Sequence, residues 1–159
     1  MKKILLLFLA LISYSGINGQ ASDDSLKQII QKQEADWNKN DMKAFSEAFS
    51  DDATLINFLG MYWKGKENIS AKFSQINDCC IKPTSVKYEL IDTKLINESS
   101  AVAHIKEELT AKSDYTIPGG IVKKGNIDQK YITAVFQKAD KIWKIISMQV
   151  TQISLLAKP

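Results

Sequence analysis

The chain has 159 residues, 45% of them hydrophobic and 25% charged, with 21 basic against 18 acidic side chains and a formal net charge of +3. That length suits one domain with a single core; every basic residue is lysine, so no guanidinium fork is present for bidentate grip on phosphate or guanine, and nucleic acid is not an expected partner. With one histidine and no C-x-x-C or H-E-x-x-H spacing, neither a dedicated metal site nor a cofactor is expected.

Lys2 and Lys3 precede an apolar run from Ile4 to Ile12, followed by small and polar residues, which is the pattern of a secretory signal peptide. The run is shorter than the roughly 20 residues a helical span needs, and no later stretch reaches that length. The expectation is a leader over residues 1–19, cut after Gly19, and a secreted or periplasmic domain over residues 20–159 with no membrane span. Loss of Lys2 and Lys3 leaves 19 basic against 18 acidic residues, a net charge of +1. In an oxidising compartment the adjacent Cys79 and Cys80 bridge each other only through a strained ring, so two free thiols are favoured over that ring and over a link between subunits.

From Asp23 the apolar positions Leu26, Ile29, Ile30 and Trp37 recur at helical spacing behind the capping residues Asp23, Asp24 and Ser25. A second stripe, Met42, Phe45, Ala48 and Phe49, predicts a short helix capped by Asn40 or Asp41 and ended by Ser50, Asp51 and Asp52. Ala53 to Phe58 reads as a strand, Gly60 to Gly65 as a turn, and Ile69, Phe73 and Ile76 as the buried stripe of a third helix. From Ser85 period-two alternation takes over. Strands are predicted over Ser85 to Ile96, Ala101 to Lys112, Asp128 to Lys138 and Ile142 to Ser154, with Pro118, Gly119, Gly120 and Gly125 marking a long loop. The order is that of an α+β domain with its helices on one face of an antiparallel sheet.

Asp36 to Gly60, with an aromatic residue and Asn on the first helix, a small corner, Ala-Phe pairs and then D-D-A-x-x, resembles the nuclear-transport-factor-2-like superfamily. The SnoaL-like and ketosteroid-isomerase-like branches are the most similar, and Gly65 to Ile69 resembles the family's G-x-E-x-I opening of the third helix. The turn before Trp143, Ile145 and Ile146 is similar to the closing hairpin of SgcJ/EcaC-type domains. The resemblance implies a cone-shaped fold, three N-terminal helices packed on a strongly curved antiparallel sheet, with an apolar pocket between the two layers. It also implies that Asn57 stands where ketosteroid isomerases carry the proton-moving aspartate, and Gln33 where they carry the oxyanion-hole tyrosine. An amide is not a general base, so steroid isomerisation is disfavoured.

The expected pocket lining is Gln33, Trp37, Phe45, Phe49, Leu55, Asn57, Phe58, Trp63, His104 and Gln149, with Tyr62 as a further aromatic candidate. Asn57 is expected to point into the pocket. His104 is the one weak catalytic candidate, an acid or base on a strand, and whichever of Glu107 and Glu108 faces inward would be its nearest carboxylate. Asp51 and Asp52 read as backbone-satisfying residues at a helix-to-strand junction. The leading reading is an exported, non-catalytic domain binding an unknown small apolar molecule. The alternatives are a SnoaL-like isomerase, cyclase or hydrolase acting on an apolar or polycyclic substrate, and a dimeric interaction module of the envelope. The outward apolar residues of the sheet, either Val102/His104 or Ala103/Ile105, lead to the expectation of a homodimer.

Overall fold

The computed structural model describes residues 17–117 and 119–153. In chain order these form helices α1 (Ile17–Asn38) and α2 (Met42–Ser46), strands β1 (Phe49–Ile56) and β2 (Tyr62–Lys64), helix α3 (Lys66–Gln75) and a π-helical turn, Asn77–Ile81. Strands β3 (Thr84–Asn97), β4 (Ser100–Ala111), β5 (Tyr115–Ile117), β6 (Gly120–Val122), β7 (Ile127–Ala139) and β8 (Ile142–Gln152) follow. Most of the predicted leader lies outside the described residues, and the expected cut after Gly19 falls in the first turn of α1.

The main sheet has six strands in the order β2-β1-β8-β7-β4-β3. Its described pairings are antiparallel apart from β1 on β8. Register shifts between Leu90 and Asp92 on β3 and between Val135 and Phe136 on β7 add local twist, which is how a long sheet wraps around helices. Leu26 and Ile30 of α1, Met42 and Phe45 of α2, and Ile69 and Phe73 of α3 pack onto an inner face built from Ala101, Ala103, Ile105, Ile132, Ala134, Phe136 and Met148. Three alanines in that set allow close approach of the helices. α1 is also latched to the free edge of the sheet: the Asn38 carboxamide donates to Val86 O and accepts from Val86 N, and Glu34 Oε2 accepts from Tyr88 N at 2.6 Å. Side chains thereby pair the edge groups of β3 that would otherwise await another strand.

Several expectations change. The second helix ends at Ser46, and Phe49, Asp51 and Asp52 already belong to β1. The predicted turn over Gly60 to Gly65 contains β2, which pairs with Thr54 to Ile56, and within the predicted long loop β5 pairs with β6, while Pro118 lies outside the described residues. β2, β5 and β6 are three-residue strands, too short for a period-two pattern to register. Cys79 and Cys80 are bonded to each other, against the expectation of two free thiols. They sit in the π-helical turn, which adds a fourth helical element to the three predicted.

Candidate functional site

Alternation on adjacent strands decides which charges enter the core. On β4 the inward set is Ala101, Ala103, Ile105 and Glu107; on β7 it is Lys130, Ile132, Ala134 and Phe136, and the register places Glu107 opposite Lys130. Lys130 Nζ lies 3.0 Å from Glu107 Oε1 and 2.7 Å from Asp128 Oδ2. Lys130 is 2% exposed and Glu107 7% exposed. Tyr88 of β3 is in register with Glu107 on its other side, so the three strands present a tyrosine, a carboxylate and an ammonium side by side on the inner face. Gln152 Nε2 donates to Asp128 Oδ1 from β8. The Phe58 ring, at the tip of the β1–β2 hairpin, lies 5.1 Å from Lys130 Nζ and forms a cation–π lid.

Burial and charge act against each other here. Burial pushes the Glu107 carboxyl above the ordinary glutamate value, and the attraction of Lys130 only partly offsets it. Burial alone would lower Lys130, but the two carboxylates outweigh it and hold the ammonium above the ordinary lysine value. The Tyr88 phenol is pushed well above its usual value, by burial first and then by the negative charges of Glu107 and Glu34. Burial likewise raises Tyr115, close enough to feel Lys130 and Asp128. The cluster thus holds a fixed ammonium, a carboxyl that keeps its proton to higher pH than usual, and a phenol that stays protonated. Within it Lys130 donates to Glu107 and pairs with Asp128, so the charges satisfy one another on the inner face.

The structure splits the residues predicted to line one pocket into three groups. Trp37, Phe45 and Trp63 interlock with Phe73: edge-on ring contacts run from Trp37 to Phe45 (5.8 Å), Phe45 to Phe73 (5.0 Å) and Trp63 to Phe73 (5.4 Å). Phe49 and Leu55 complete this packed core. Gln33 is buried, but its Nε2 is directed at Phe45 O, 3.4 Å away, and so ties α1 to α2. Asn57 is the clearest correction: it leaves β1 and accepts from Leu59 N and Met61 N, both at 3.0 Å, as the side-chain cap of the hairpin turn. On that hairpin Tyr62 stands largely in solvent, while Phe58, 43% exposed, lies over Lys130.

His104 and Gln149 lie on the opposite face of the sheet. Because Ala103 and Ile105 take the inner positions, alternation turns His104 outward, where Nδ1 contacts Asp92 Oδ1 at 2.7 Å. Thr133 stands between His104 and Gln149 in register. Of the two glutamates weighed beside His104, Glu107 is the inward one. Asp51 pairs with Lys66 at 2.9 Å across the β1–α3 junction, and this ion pair holds its carboxyl below the usual range. Lys130, Asp128 and Tyr88 were not predicted, although a signal existed: a lysine and a glutamate each occupy the apolar phase of a core strand.

The model of the SnoaL-like domain matches residues 26–154. The chain belongs to the SnoaL-like domain family. Its fold is the NTF-2-like, cystatin-like one seen in solved structures. An uncharacterised protein with a cystatin-like fold from Caulobacter vibrioides superposes with a TM-score of 0.75 at 22% identity, over 86% of this chain and 93% of that one. An NTF-2 like protein of unknown function from Shewanella oneidensis gives 0.64 at 17% identity, over 82% and 99%. A hexachlorocyclohexane dehydrochlorinase from Novosphingobium barchaimii gives 0.69 at 12% identity, over 88% and 92%. No curated protein matches the sequence. Identities this low carry the fold of the SnoaL-like domain and not its chemistry.

Proposed function

We propose that this SnoaL-like domain binds a small, largely apolar molecule carrying one oxygen acceptor, seated on the inner face of the sheet where Tyr88, Glu107 and Lys130 meet beneath Phe58. The observation that carries the reading is the Lys130 ammonium, buried on the core side of the sheet and roofed by an aromatic ring on an exposed hairpin. A ligand oxygen taking over one donor of Lys130 would gain a charge-assisted hydrogen bond, on the order of 1.5–3 kcal/mol, with its apolar body replacing Phe58. Entry requires the hairpin tip to lift. Gly60 sits there in the left-handed region (φ 78°), and Phe58, Leu59 and Met61 are all more than 40% exposed.

The test is a titration with an environment-sensitive apolar fluorophore, alongside native mass spectrometry of the protein as purified. Lys130→Met is expected to abolish saturable binding of an oxygen-bearing ligand, and Phe58→Ala to speed its association. Binding that survives Lys130→Met at full strength would remove the site from the inner face.

A second reading is acid–base catalysis on an apolar substrate, favoured by one observation: Glu107 keeps its proton unusually long beside a cation that does not lose its own, the separation of protonation behaviour that an acid–base pair needs. Turnover abolished by Glu107→Gln with binding retained would select it. Export remains part of the proposal, on the strength of Lys2, Lys3 and the apolar run after them; intact mass of envelope protein beginning at Gln20 or Ala21 is the expected result. So does a homodimer through the outer sheet face, where Val102 and Val135 lie half-buried in register and Tyr131 is exposed further along β7 on the same face; light scattering at twice the chain mass checks it.

A further inference from the structure

The bond between Cys79 and Cys80 closes a ring that contains only their own peptide unit, and the two Cα atoms are 3.8 Å apart where bridged cysteines usually stand about 4.4–6.8 Å apart. A loop this short removes the least chain entropy of any disulfide, so the bridge is a poor staple. The fold does not need one at this point. Ile81 at the end of the turn is fully buried; Thr84 Oγ1 donates to Ile81 O at 2.7 Å and accepts from Trp37 Nε1 at 3.2 Å, which fixes the link between α3 and β3 to the aromatic core. The bridge therefore invites a chemical explanation.

The surroundings supply one. Cys79 is exposed while Cys80 is half-buried, and Cys79 opens onto a surface cleft of about 500 Å³ whose walls include Lys82, Pro83, Ser113, Asp114 and Tyr115. The cleft is broad and open to solvent, so a guest reaches Cys79 directly. The rim carries both signs of charge: Lys82 pairs with Asp78 across one turn of chain, and Asp114 is fixed by Lys123 Nζ at 2.7 Å and Lys124 N at 2.8 Å. These pairs are exposed to water and therefore weak, so they can exchange partners with a zwitterionic guest of peptide character, with Tyr115 and Pro83 as walls.

We propose that the Cys79–Cys80 ring is a thiol–disulfide exchange site whose co-reactant is a small peptidic thiol seated in this cleft. The co-reactant's thiolate attacks Sγ of the accessible Cys79. The Sγ–Sγ bond breaks, and its electron pair leaves on Sγ of Cys80, which takes a proton from solvent. A second thiolate then attacks the co-reactant's sulfur in the mixed disulfide, forms the oxidised co-reactant and releases Cys79, which is protonated in turn. Two electrons and two protons pass from two thiols to the protein, and the reverse sequence restores the ring. Exposed and strained bridges are the labile ones, which suits this role. The site lies at the π-helical turn and is independent of the ligand reading for the inner face.

The experiment exposes the folded protein to millimolar reduced glutathione, quenches with acid, alkylates and maps the products by mass spectrometry, with 2-mercaptoethanol as a thiol too small to use the cleft walls. The expected result is reduction without unfolding, through an intermediate carrying glutathione on Cys79. Ser113→Trp, which narrows the cleft, should slow the glutathione reaction about tenfold, equivalent to roughly 1.4 kcal/mol, and leave the mercaptoethanol rate unchanged. Lys82→Ala, at an exposed position, supplies a second variant with the same expected selectivity. A bridge that yields to glutathione only after denaturant, glutathione found on Cys80, or equal slowing of both thiols in both variants would each overturn the proposal.

Discussion

Two charge pairs stand close together on β4 and take opposite faces of the sheet. Glu107 points inward and meets Lys130 at 3.0 Å; His104 points outward and meets Asp92 at 2.7 Å. By distance the outer pair is the tighter one. Energetically the order is reversed: His104 and Asp92 have side chains 49% and 62% exposed, where water and salt screen them, whereas those of Lys130 and Glu107 are 2% and 9% exposed, and Glu107 with Asp128 takes the place of water around the ammonium. Burial, and not distance, sets what a pair costs to break.

The sharpest way to break this comparison is to remove one member of the inner pair. Lys130→Met should lower stability by about 3–5 kcal/mol, because Glu107 and Asp128 are left as buried or half-buried carboxylates with no cation. Urea unfolding followed by tryptophan fluorescence gives the value; a loss under about 1 kcal/mol would mean that water reaches the site, as at an exposed pair.

Removing both inner charges sharpens it. Glu107→Leu combined with Lys130→Met should recover about half or more of the single-variant loss, since a buried pair replaced by apolar groups is often near neutral. Recovery is measured on the same denaturation curve; none at all would show that the pair itself contributes net stability.

A pH series should separate the two pairs next. Glu107 is raised in the folded state, so its protonated form favours folding: its contribution is complete below the ordinary glutamate value of 4.5 and declines as pH rises from there through the raised folded value. Glu107→Gln should flatten that decline, read as the difference between the two stability–pH curves. Lys130 is also raised and acts far above this window, its contribution being lost only as pH rises past 10.5. Asp51 and Asp114, held low by Lys66 and Lys123, have the opposite sign, and their contribution is lost as pH falls below 3.8.

The smallest effect belongs to the outer pair. A double-mutant cycle of Asp92→Ala and His104→Ala at pH 5.5 should give a coupling of about 0.2–1 kcal/mol that shrinks in 1 M salt. A coupling above 2 kcal/mol would show that this face is covered in solution, and would bear on the proposed dimer.

The sequence by itself determined the class of fold, because alternation in β3, β4, β7 and β8 and the helical stripes of α1 and α3 are local patterns that survive without knowledge of neighbours. The family resemblance read from Asp36 to Gly60 agrees with the match over residues 26–154. It did not determine the site. Asn57 looked inward because two-residue alternation was carried one step past the end of β1, where the chain instead turns and uses the carboxamide on its own backbone. Which of Ala103/Ile105 and Val102/His104 faces the helices depends on strand phase relative to the whole core, and a single strand cannot report it. Lys130 and Glu107 are 23 residues apart in the chain, and only the β4–β7 register makes them partners. Tertiary structure decided the chemistry here because a charge becomes costly, and therefore specific, only once other strands have taken its water away.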